Sequence, residues 1–311
     1  AVVVLFVVSC FVSLAMGTSV GTITLIVPIG VAVARVSGFA LPVCIGSIMS
    51  GAMFGDNLSF ISDTTIAACN GQGCELPEIV IGIDYFEPYS YQTDDGQYKG
   101  IDVELAKEAF RRLGYQPKFE RIVWEDKEKL LEAGTIDCLW SCYSMNEREE
   151  KYQWAGPYLY SRQMVVVRSE SEIQTIQDLS GKRIAVQATT KAEDLFLHKI
   201  ESDVPQMEQV NCFSTTNEIY AALRKNYTDA IAGHEAMLGS LVQDGEGAYR
   251  MLEESIYTSE LGIAFKKGTH EEVAADLTET LKEMQDEGIT EEIVTKYGLD
   301  ADAILPGGES K

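Results

Sequence analysis

Two consecutive threonines, Thr189 and Thr190, stand where a strand-like segment (KRIAVQ) gives way to a helical one (KAEDLF). The N-terminus of a helix presents amide donors without intrahelical partners and the positive end of the helix dipole. The position is therefore suited to binding an anion. A simpler role stays open, because the Thr190 hydroxyl can cap the helix, and both roles can coexist.

The seven cysteines carry no metal-binding or disulfide signature. They are odd in number and lack the paired spacing of zinc sites. Cys138 and Cys142 are four residues apart across a predicted strand and turn, too far to bridge unless the turn folds back. We therefore expect buried free thiols, no metal site and no cofactor.

Charge is distributed very unevenly along the 311 residues. The formal net charge is -23, yet residues 1–68 carry only Arg35, Asp56 and Asp63 as charged side chains. The acidic remainder would repel nucleic acid and anionic headgroups, so a nucleic-acid partner is not expected.

Beyond residue 76 the pattern alternates between β-branched strands and amphipathic helices, which is typical of parallel α/β sheets. Two such units of similar size indicate two lobes with a cleft between them, a favoured place for ligands. We predict strands at 78–83, 118–122, 137–140, 182–187, 229–232 and 261–266, and helices at 102–113, 127–133, 191–200, 217–225 and 271–287.

The first 68 residues are apolar, with runs at 1–16, 23–34 and 39–54 separated by breaks rich in glycine and hydroxyl groups. Polar groups at membrane depth are costly unless they line a cavity or bind an ion. We therefore expect transmembrane helical segments. A secretory signal with lipidation at Cys69 is the competing interpretation, which the carboxylates upstream of Cys69 disfavour.

Residues 75–298 resemble the type 2 periplasmic binding proteins, and more narrowly the polar amino-acid receptors of ABC importers. The motifs that carry the resemblance occur in the family's order: GIDYFEPYSY, DDGQYKGIDVELAKEAFRRLG, GTIDCLWSCYSMNERE, YQWAGPYLYSRQMVVVR, DLSGKRIAVQATT, TDAIAGHEA and SELGIAFKKG. The resemblance implies a two-lobed Venus-flytrap fold hinged on strands near 162–167 and 259–263. It implies one lobe at 77–163 plus 259–298 and the other at 164–258, preceded by a linker at 69–76 and followed by a tail at 299–311.

The resemblance also implies how a ligand carboxylate is held. Arg148 occupies the family's position for the arginine that clamps a carboxylate, and its planar fork suits that group better than a lysine would. Ser144 stands at the family's hydroxyl position, and backbone groups near Cys142 would help. Thr189 and Thr190 fall in the loop that the family places opposite.

The remaining ligand contacts are less uniform. Aromatic residues after the first strand would cover the ligand, with Phe86 and Tyr89 as the best candidates beside Asp84. The family generally has an aspartate where His234 stands, to pair with the ligand ammonium. Either Glu235 takes that role or the ligand lacks a conventional α-ammonium, and His234 could make recognition depend on pH. Trp140 is expected to line the cleft or to pack within the lobe.

Residues 17–68 resemble the C-terminal part of NhaC-type sodium/proton antiporters, through GTSVGTITLIVPIGVA and SGAMFGDNLSFISDTTIAA. The resemblance implies that Asp56, Ser59, Asp63 and Thr64 belong to or lie near an ion-binding region. Capping of helix ends is the simpler role for these residues. Most of such a transporter is missing from the sequence, so we expect no ion transport by this fragment, and a natural fusion and an artefactual junction both fit.

These features favour a non-enzymatic, extracytoplasmic binding domain at the cell membrane. Its expected partners are a small amino-acid-like ligand, the membrane subunits of an ABC importer, and membrane lipid around the N-terminal helices. Two alternatives stay open: a dehydratase-like enzyme on the same fold, and a ligand-sensing domain of a membrane transporter.

Overall fold

The computed structural model describes residues 2–58, 76–199 and 203–306. The chain divides into two compact units, one formed by 1–78 with 110–116 and the other by 79–109 with 117–311.

The N-terminal unit begins with three helices, α1 (Val2–Met16), α2 (Ser19–Ser37) and α3 (Leu41–Leu58). Helix α2 begins after Thr18, whose hydroxyl accepts from the Gly21 amide, and it ends at Gly38 in the left-handed conformation. Among the described residues, α2 is the one helix long and apolar enough to cross a membrane. The prediction of apolar helices at the front of the chain is therefore confirmed.

Glycines allow α1 and α3 to pack at backbone distance. A Cβ atom on Gly51 would lie 2.2 Å from the Phe6 carbonyl oxygen, and one on Gly55 would lie 2.1 Å from that of Cys10. Close approach through small residues is how helices associate in membranes, where lipid removes the hydrophobic drive. The outer surfaces of α1–α3 carry exposed apolar side chains, including Val3, Val7, Phe11, Val20, Leu25, Ile29, Met53 and Phe54.

The larger unit is a mixed α/β structure. Its strands are β1 (Glu78–Ile83), β2 (Tyr91–Gln92), β3 (Tyr98–Lys99), β4 (Gln116–Arg121), β5 (Cys138–Ser144), β6 (Tyr152–Arg168), β7 (Arg183–Gln187), β8 (Gln209–Phe213), β9 (Ala230–His234), β10 (Tyr249–Met251) and β11 (Tyr257–Lys266). Its helices are α4 (Ile101–Arg112), α5 (Lys127–Glu132), α6 (Lys191–Glu193), α7 (Thr216–Arg224), α8 (Glu235–Asp244), α9 (Glu271–Asp286), α10 (Ile289–Lys296) and α11 (Ala301–Ile304).

The main sheet has the order β4-β1-β5-β11-β6-β9-β7-β8, with β10 added beside β6. Strands β1 and β5 are parallel, as are β7, β8 and β9, so each end of the sheet is a parallel α/β unit. The two ends are joined by the antiparallel pair β6 and β11, the long strands in the middle. The strands predicted as the hinge, near 162–167 and 259–263, fall in these two elements.

Local sequence explains why helix α4 forms where it does. Acidic residues occupy its first turn and Arg111 and Arg112 its last, which complements the helix dipole. Apolar residues at helical spacing face the core, and Phe110 is fully buried. Gly114 adopts a φ of 74° just beyond the end of the helix, a conformation that glycine favours.

The helix predicted at 191–200 is interrupted. After Glu193 the backbone continues as a π-helical turn, Asp194–His198, which ends at Lys199 in the left-handed conformation. The Lys199 amide donates to the Asp194 carbonyl, five residues earlier. Such turns occur frequently at functional sites, and this one displays Asp194.

Candidate functional site

A small cavity lies at the carboxyl ends of β1, β5, β7 and β9. In open α/β sheets, ligands bind at this edge, because loops from several strands converge there. The wall of the cavity consists of Asp84, Phe86, Trp124, Ser141, Cys142, Tyr143, Ser144, Arg148, Gln187, Thr190, Lys191 and His234.

Arg148 lies in the turn after β5, and its side chain is 13% exposed. One guanidinium nitrogen, Nη1, donates to the Ser144 carbonyl at 3.2 Å, and Nη2 donates to the carboxylate of Asp194. The guanidinium also lies 5.2 Å from the centre of the Tyr143 ring. The arginine predicted to hold a carboxylate is therefore in the cavity wall, fixed in orientation and paired with an acid.

Two polar atoms in the same wall have no hydrogen-bond partner among the described residues. They are Oγ of Ser144, a residue 2% exposed, and Nε1 of Trp124, a residue 5% exposed. A buried donor left unpaired costs about 1–3 kcal/mol. Both atoms would therefore gain from a ligand that brings oxygen acceptors into the cavity.

Cys142 lines the cavity, but its backbone amide is not available to a ligand. The amide donates to the buried carboxylate of Asp102 at 2.7 Å, and Tyr158 donates to the other oxygen of the same carboxylate. Burial raises the pKa of Asp102 to about 7 and that of the Cys142 thiol well above its usual value. Cys142 is therefore a neutral wall residue held by Asp102. The sequence predicts a contribution from backbone groups near Cys142, and among these the Cys142 amide is already bonded within the protein.

Asp84 follows β1 and is the one carboxylate among the wall residues. Its Oδ1 accepts from the Tyr85 amide and its Oδ2 from the side chain of Gln187, both at 2.7 Å. Burial raises the pKa of this carboxyl group, and the two hydrogen bonds oppose that rise. Its amide donates to Ser141 Oγ, which ties the loop to β5.

The two threonines have different positions. Thr190 lines the cavity, and its hydroxyl donates back to the Gln187 carbonyl rather than capping the helix. Thr189 is outside the wall, with a φ of 58°, and its hydroxyl accepts from Lys127. Helix α6 has only three residues before the π-helical turn, so the predicted helix-terminal anion site reduces to Thr190 alone.

Lys191 and Asp194 are functional candidates that the sequence analysis missed. The Lys191 side chain is completely buried in the wall, where Nζ donates to Glu147 at 2.6 Å and lies 4.4 Å from the Tyr257 ring centre. The available signal was their spacing, because residues three apart share one helix face. A lysine at a helix start is also an ordinary surface residue, so the spacing alone did not single it out.

His234, where an acid was expected, is buried and neutral. Nδ1 hydrogen-bonds to Ser161 Oγ at 2.9 Å, Nε2 is 3.0 Å from the side-chain amide nitrogen of Gln163, and the ring meets Phe86 edge-on. Burial, with a smaller contribution from Arg148, lowers the pKa of His234 to about 3. The expectation that His234 makes recognition respond to pH near 6.5 is therefore corrected.

Glu235 is not brought together with Arg148. Its carboxylate forms a two-pronged ion pair with Arg162, in which Arg162 Nε donates at 2.8 Å and Nη2 donates to the second oxygen. The pair lines a separate cavity that includes Tyr89 and Asp300. The alternative in which Glu235 holds the ligand ammonium is corrected, because the first turn of α8 directs the side chain elsewhere.

Of the aromatic residues predicted as ligand contacts, one lies in the cavity wall and two lie outside it. Phe86 lies in the cavity wall. Tyr89 is buried outside that wall, and its hydroxyl donates to Ser161 at 3.4 Å. Trp140 is fully buried and packs against the Tyr158 ring, with 5.6 Å between centres. Tyr89 and Trp140 therefore support the wall from behind.

No cluster of side chains suited to a metal ion occurs in the parts of the chain that the structure describes. The described cysteines, Cys10, Cys44, Cys138, Cys142 and Cys212, are free thiols. In the N-terminal unit, Asp56 is 7% exposed on α3. Ser59, Asp63, Thr64 and Cys69 lie outside the described residues.

The fold and the cavity define the class: a two-lobed solute-binding protein of the periplasmic type. Residues 79–300 match the model of the bacterial extracellular solute-binding proteins, family 3, and the chain belongs to that family. Residues 1–83 match the model of the Na+/H+ antiporter family. Both resemblances read from the sequence are thereby confirmed, and the first implies an extracytoplasmic location for the binding domain.

Individual relatives are similar at modest identity. The L-cystine-binding protein TcyJ of Escherichia coli (strain K12) is 25% identical over 72% of this chain and 83% of its own length. The histidine-binding periplasmic protein of the same strain is 28% identical over 77% of this chain and 93% of its own. Among solved structures, a substrate-binding protein of an ABC uptake transporter from Streptococcus pneumoniae, with bound histidine, superposes with a TM-score of 0.64 at 26% identity. That match covers 72% of this chain and 93% of the other.

Proposed function

We propose that the domain at residues 76–306 captures a small carboxylate-bearing solute, and specifically an amino acid, for uptake by an ABC importer. The observation that carries the proposal is Arg148 in the wall of the cavity at the carboxyl ends of β1, β5, β7 and β9. Its neighbours Ser144 and Trp124 place two unpartnered polar atoms in the same wall. A ligand carboxylate would accept charge-assisted hydrogen bonds from the arginine and further hydrogen bonds from these two unpartnered donors.

The relatives support the amino-acid class. Proteins similar over most of their length are named for binding L-cystine, glutamate and histidine. These ligands share a carboxylate and an ammonium on one carbon, and they differ in side chain. The shared carboxylate is the group that a site built around one arginine can recognise.

Capture would proceed by closure of two lobes, with residues 77–163 and 259–298 in one and 164–258 in the other. Strands β6 and β11 link the two ends of the sheet and would form the hinge. The wall draws Asp84 and Arg148 from the first lobe and Thr190 and His234 from the second. The ligand would thus stabilise the closed form, which the importer's membrane subunits would recognise.

The N-terminal helices would hold the binding domain at the membrane. Helix α2 has the length and composition of a spanning segment, and α1 and α3 expose apolar surface suited to lipid. The region around Asp56, Ser59, Asp63 and Thr64 would descend from an antiporter's ion site. We expect no sodium-dependent proton movement in vesicles that carry this chain alone.

A dehydratase acting on a prephenate-like acid would need a proton donor in the cavity. Burial raises the pKa of Asp84, which makes it the wall residue that fits such a role. Product formed on incubation with prephenate or arogenate, and lost in the Asp84→Asn variant, would favour the enzyme. We expect no product.

The proposed function is tested by calorimetric titration of the detergent-purified chain with L-cystine, L-glutamate, L-histidine and L-arginine. At least one should bind, and the Arg148→Ala variant should lose that binding. The matched control is Arg224→Ala, because Arg224 is exposed at the end of α7. Undiminished binding by Arg148→Ala would exclude the arginine as the carboxylate partner.

A further inference from the structure

Two segments beside the cavity form reciprocal ion pairs with each other. Glu147 and Arg148 follow β5, while Lys191 and Asp194 lie after β7. Arg148 donates to Asp194, and Lys191 donates to Glu147 at 2.6 Å. The two wall cations, Arg148 and Lys191, are thus each neutralised by a carboxylate from the other segment.

This pairing has a consequence for any anion that enters. A carboxylate that takes the guanidinium of Arg148 competes with Asp194, whose side chain is only 22% exposed. Leaving a largely buried carboxylate without its cation costs free energy, because solvent reaches only part of the group. A simple organic anion would therefore pay that penalty on binding.

A zwitterion avoids the penalty. The ammonium and carboxylate of an α-amino acid are attached to the same carbon, so they reach two side chains that are in direct contact. The ligand carboxylate can take Arg148 while the ligand ammonium takes Asp194. The ligand then lies between Arg148 and Asp194, and each of the two side chains keeps a partner of opposite charge.

The other acceptors near Arg148 are less suited to an ammonium. His234 is uncharged and already bonded to Ser161 and Gln163. Glu235 is held by Arg162 in another cavity. Both carboxylate oxygens of Asp84 already accept hydrogen bonds within the protein.

We propose that Asp194 is the specificity-determining residue that accepts the α-ammonium of the ligand, in place of an acid at position 234. The inference rests on the proposed function and deepens it, since it makes the free α-amino group a requirement of the same site. The ion pair of Asp194 with Arg148 shows that the guanidinium can hold a carboxylate at this place in the wall.

The test compares amino acids with their α-hydroxy counterparts by calorimetric titration of the full chain in detergent. The pairs are L-glutamate with 2-hydroxyglutarate, L-histidine with imidazole-lactate, and L-arginine with its α-hydroxy analogue. The native chain should prefer the amino acid of the bound pair by about tenfold or more, because a charge-assisted hydrogen bond is worth ~1.5–3 kcal/mol.

In the nearly isosteric Asp194→Asn variant, that preference should fall to about threefold or less, because a neutral amide does not favour an ammonium over a hydroxyl. Asp194→Glu should restore part of it. The control Asp276→Asn, on the exposed face of α9, should keep the native ratio.

Three results would overturn the inference. An unchanged ratio in Asp194→Asn would do so, as would a ratio lost in Asp84→Asn and kept in Asp194→Asn. In both cases the ligand still binds, so the proposed function survives. If none of the probes binds the native chain, the proposed function fails and takes this inference with it.

Discussion

Nδ1 of His234 lies 2.9 Å from the hydroxyl of Ser161, and this contact joins the end of β9 to the middle of β6. The side-chain amide nitrogen of Gln163, two residues further along β6, lies 3.2 Å from Nδ1 and 3.0 Å from Nε2 of the same ring. A histidine placed where the family generally has an acid is therefore held as a neutral member of the cavity wall. The charge that recognises a ligand has to come from elsewhere in the wall.

The stability of the fold should respond to acid through His234. Burial lowers the pKa of this residue from 6.5 to about 3, so the unfolded chain binds more protons between those values. The stabilisation is fully present above pH 6.5 and is lost as the pH falls towards 3, by at most ~1.4 kcal/mol per pH unit. Thermal unfolding at pH 7 and pH 5 should show a smaller decrease in Tm for His234→Gln than for the native chain. An equal decrease would contradict this assignment.

Arg148→Lys should weaken binding of the best amino-acid ligand by about tenfold or more, because a lysine keeps the charge and loses the two-pronged donor geometry. Titration calorimetry measures the effect directly. Arg224→Lys serves as the control, since that arginine is exposed. Native affinity in Arg148→Lys would mean that a point charge suffices at this position.

Glu235→Gln should leave ligand affinity within about twofold of the native value, since the side chain faces a separate cavity and distant substitutions usually change free energies by ~0.5 kcal/mol or less. The variant loses part of its ion pair with Arg162, so a small fall in Tm is expected. A large loss of affinity at unchanged Tm would restore Glu235 as a ligand contact.

Gly55→Leu should loosen the contact between α1 and α3, because a Cβ at that position would lie 2.1 Å from the backbone oxygen of Cys10. Overpacking of this kind costs about 1–3 kcal/mol. Gly46→Leu, on the same helix, is the matched control, since a Cβ there meets no atom within 4 Å. The full chain in detergent is heated while its helical circular dichroism is recorded. The signal should be lost at a lower temperature than in the native chain for Gly55→Leu and at the native temperature for Gly46→Leu.

Several predictions from the sequence are confirmed by the fold. Hydrophobic periodicity placed β1 at its observed bounds and α4 within one residue at each end. Periodicity works for such elements because burial of an apolar face is repeated along the segment and is written into the local sequence. The helix predicted at 191–200 shows the limit, because the π-helical turn at Asp194–His198 keeps the same apolar spacing over a different hydrogen-bond pattern.

Sequence alone determined the two-lobed α/β class and placed Asp84, Phe86, Arg148 and Thr190 among the ligand candidates, because residue type and order carry that information. Only the tertiary structure decided which charged groups meet. Arg148 and Asp194 are 46 residues apart and come into contact through the packing of two loops on one sheet edge. The neutrality of His234 and the diversion of Glu235 to Arg162 have the same origin. Burial and ion pairing depend on neighbours that are distant along the chain, and no local pattern specifies them.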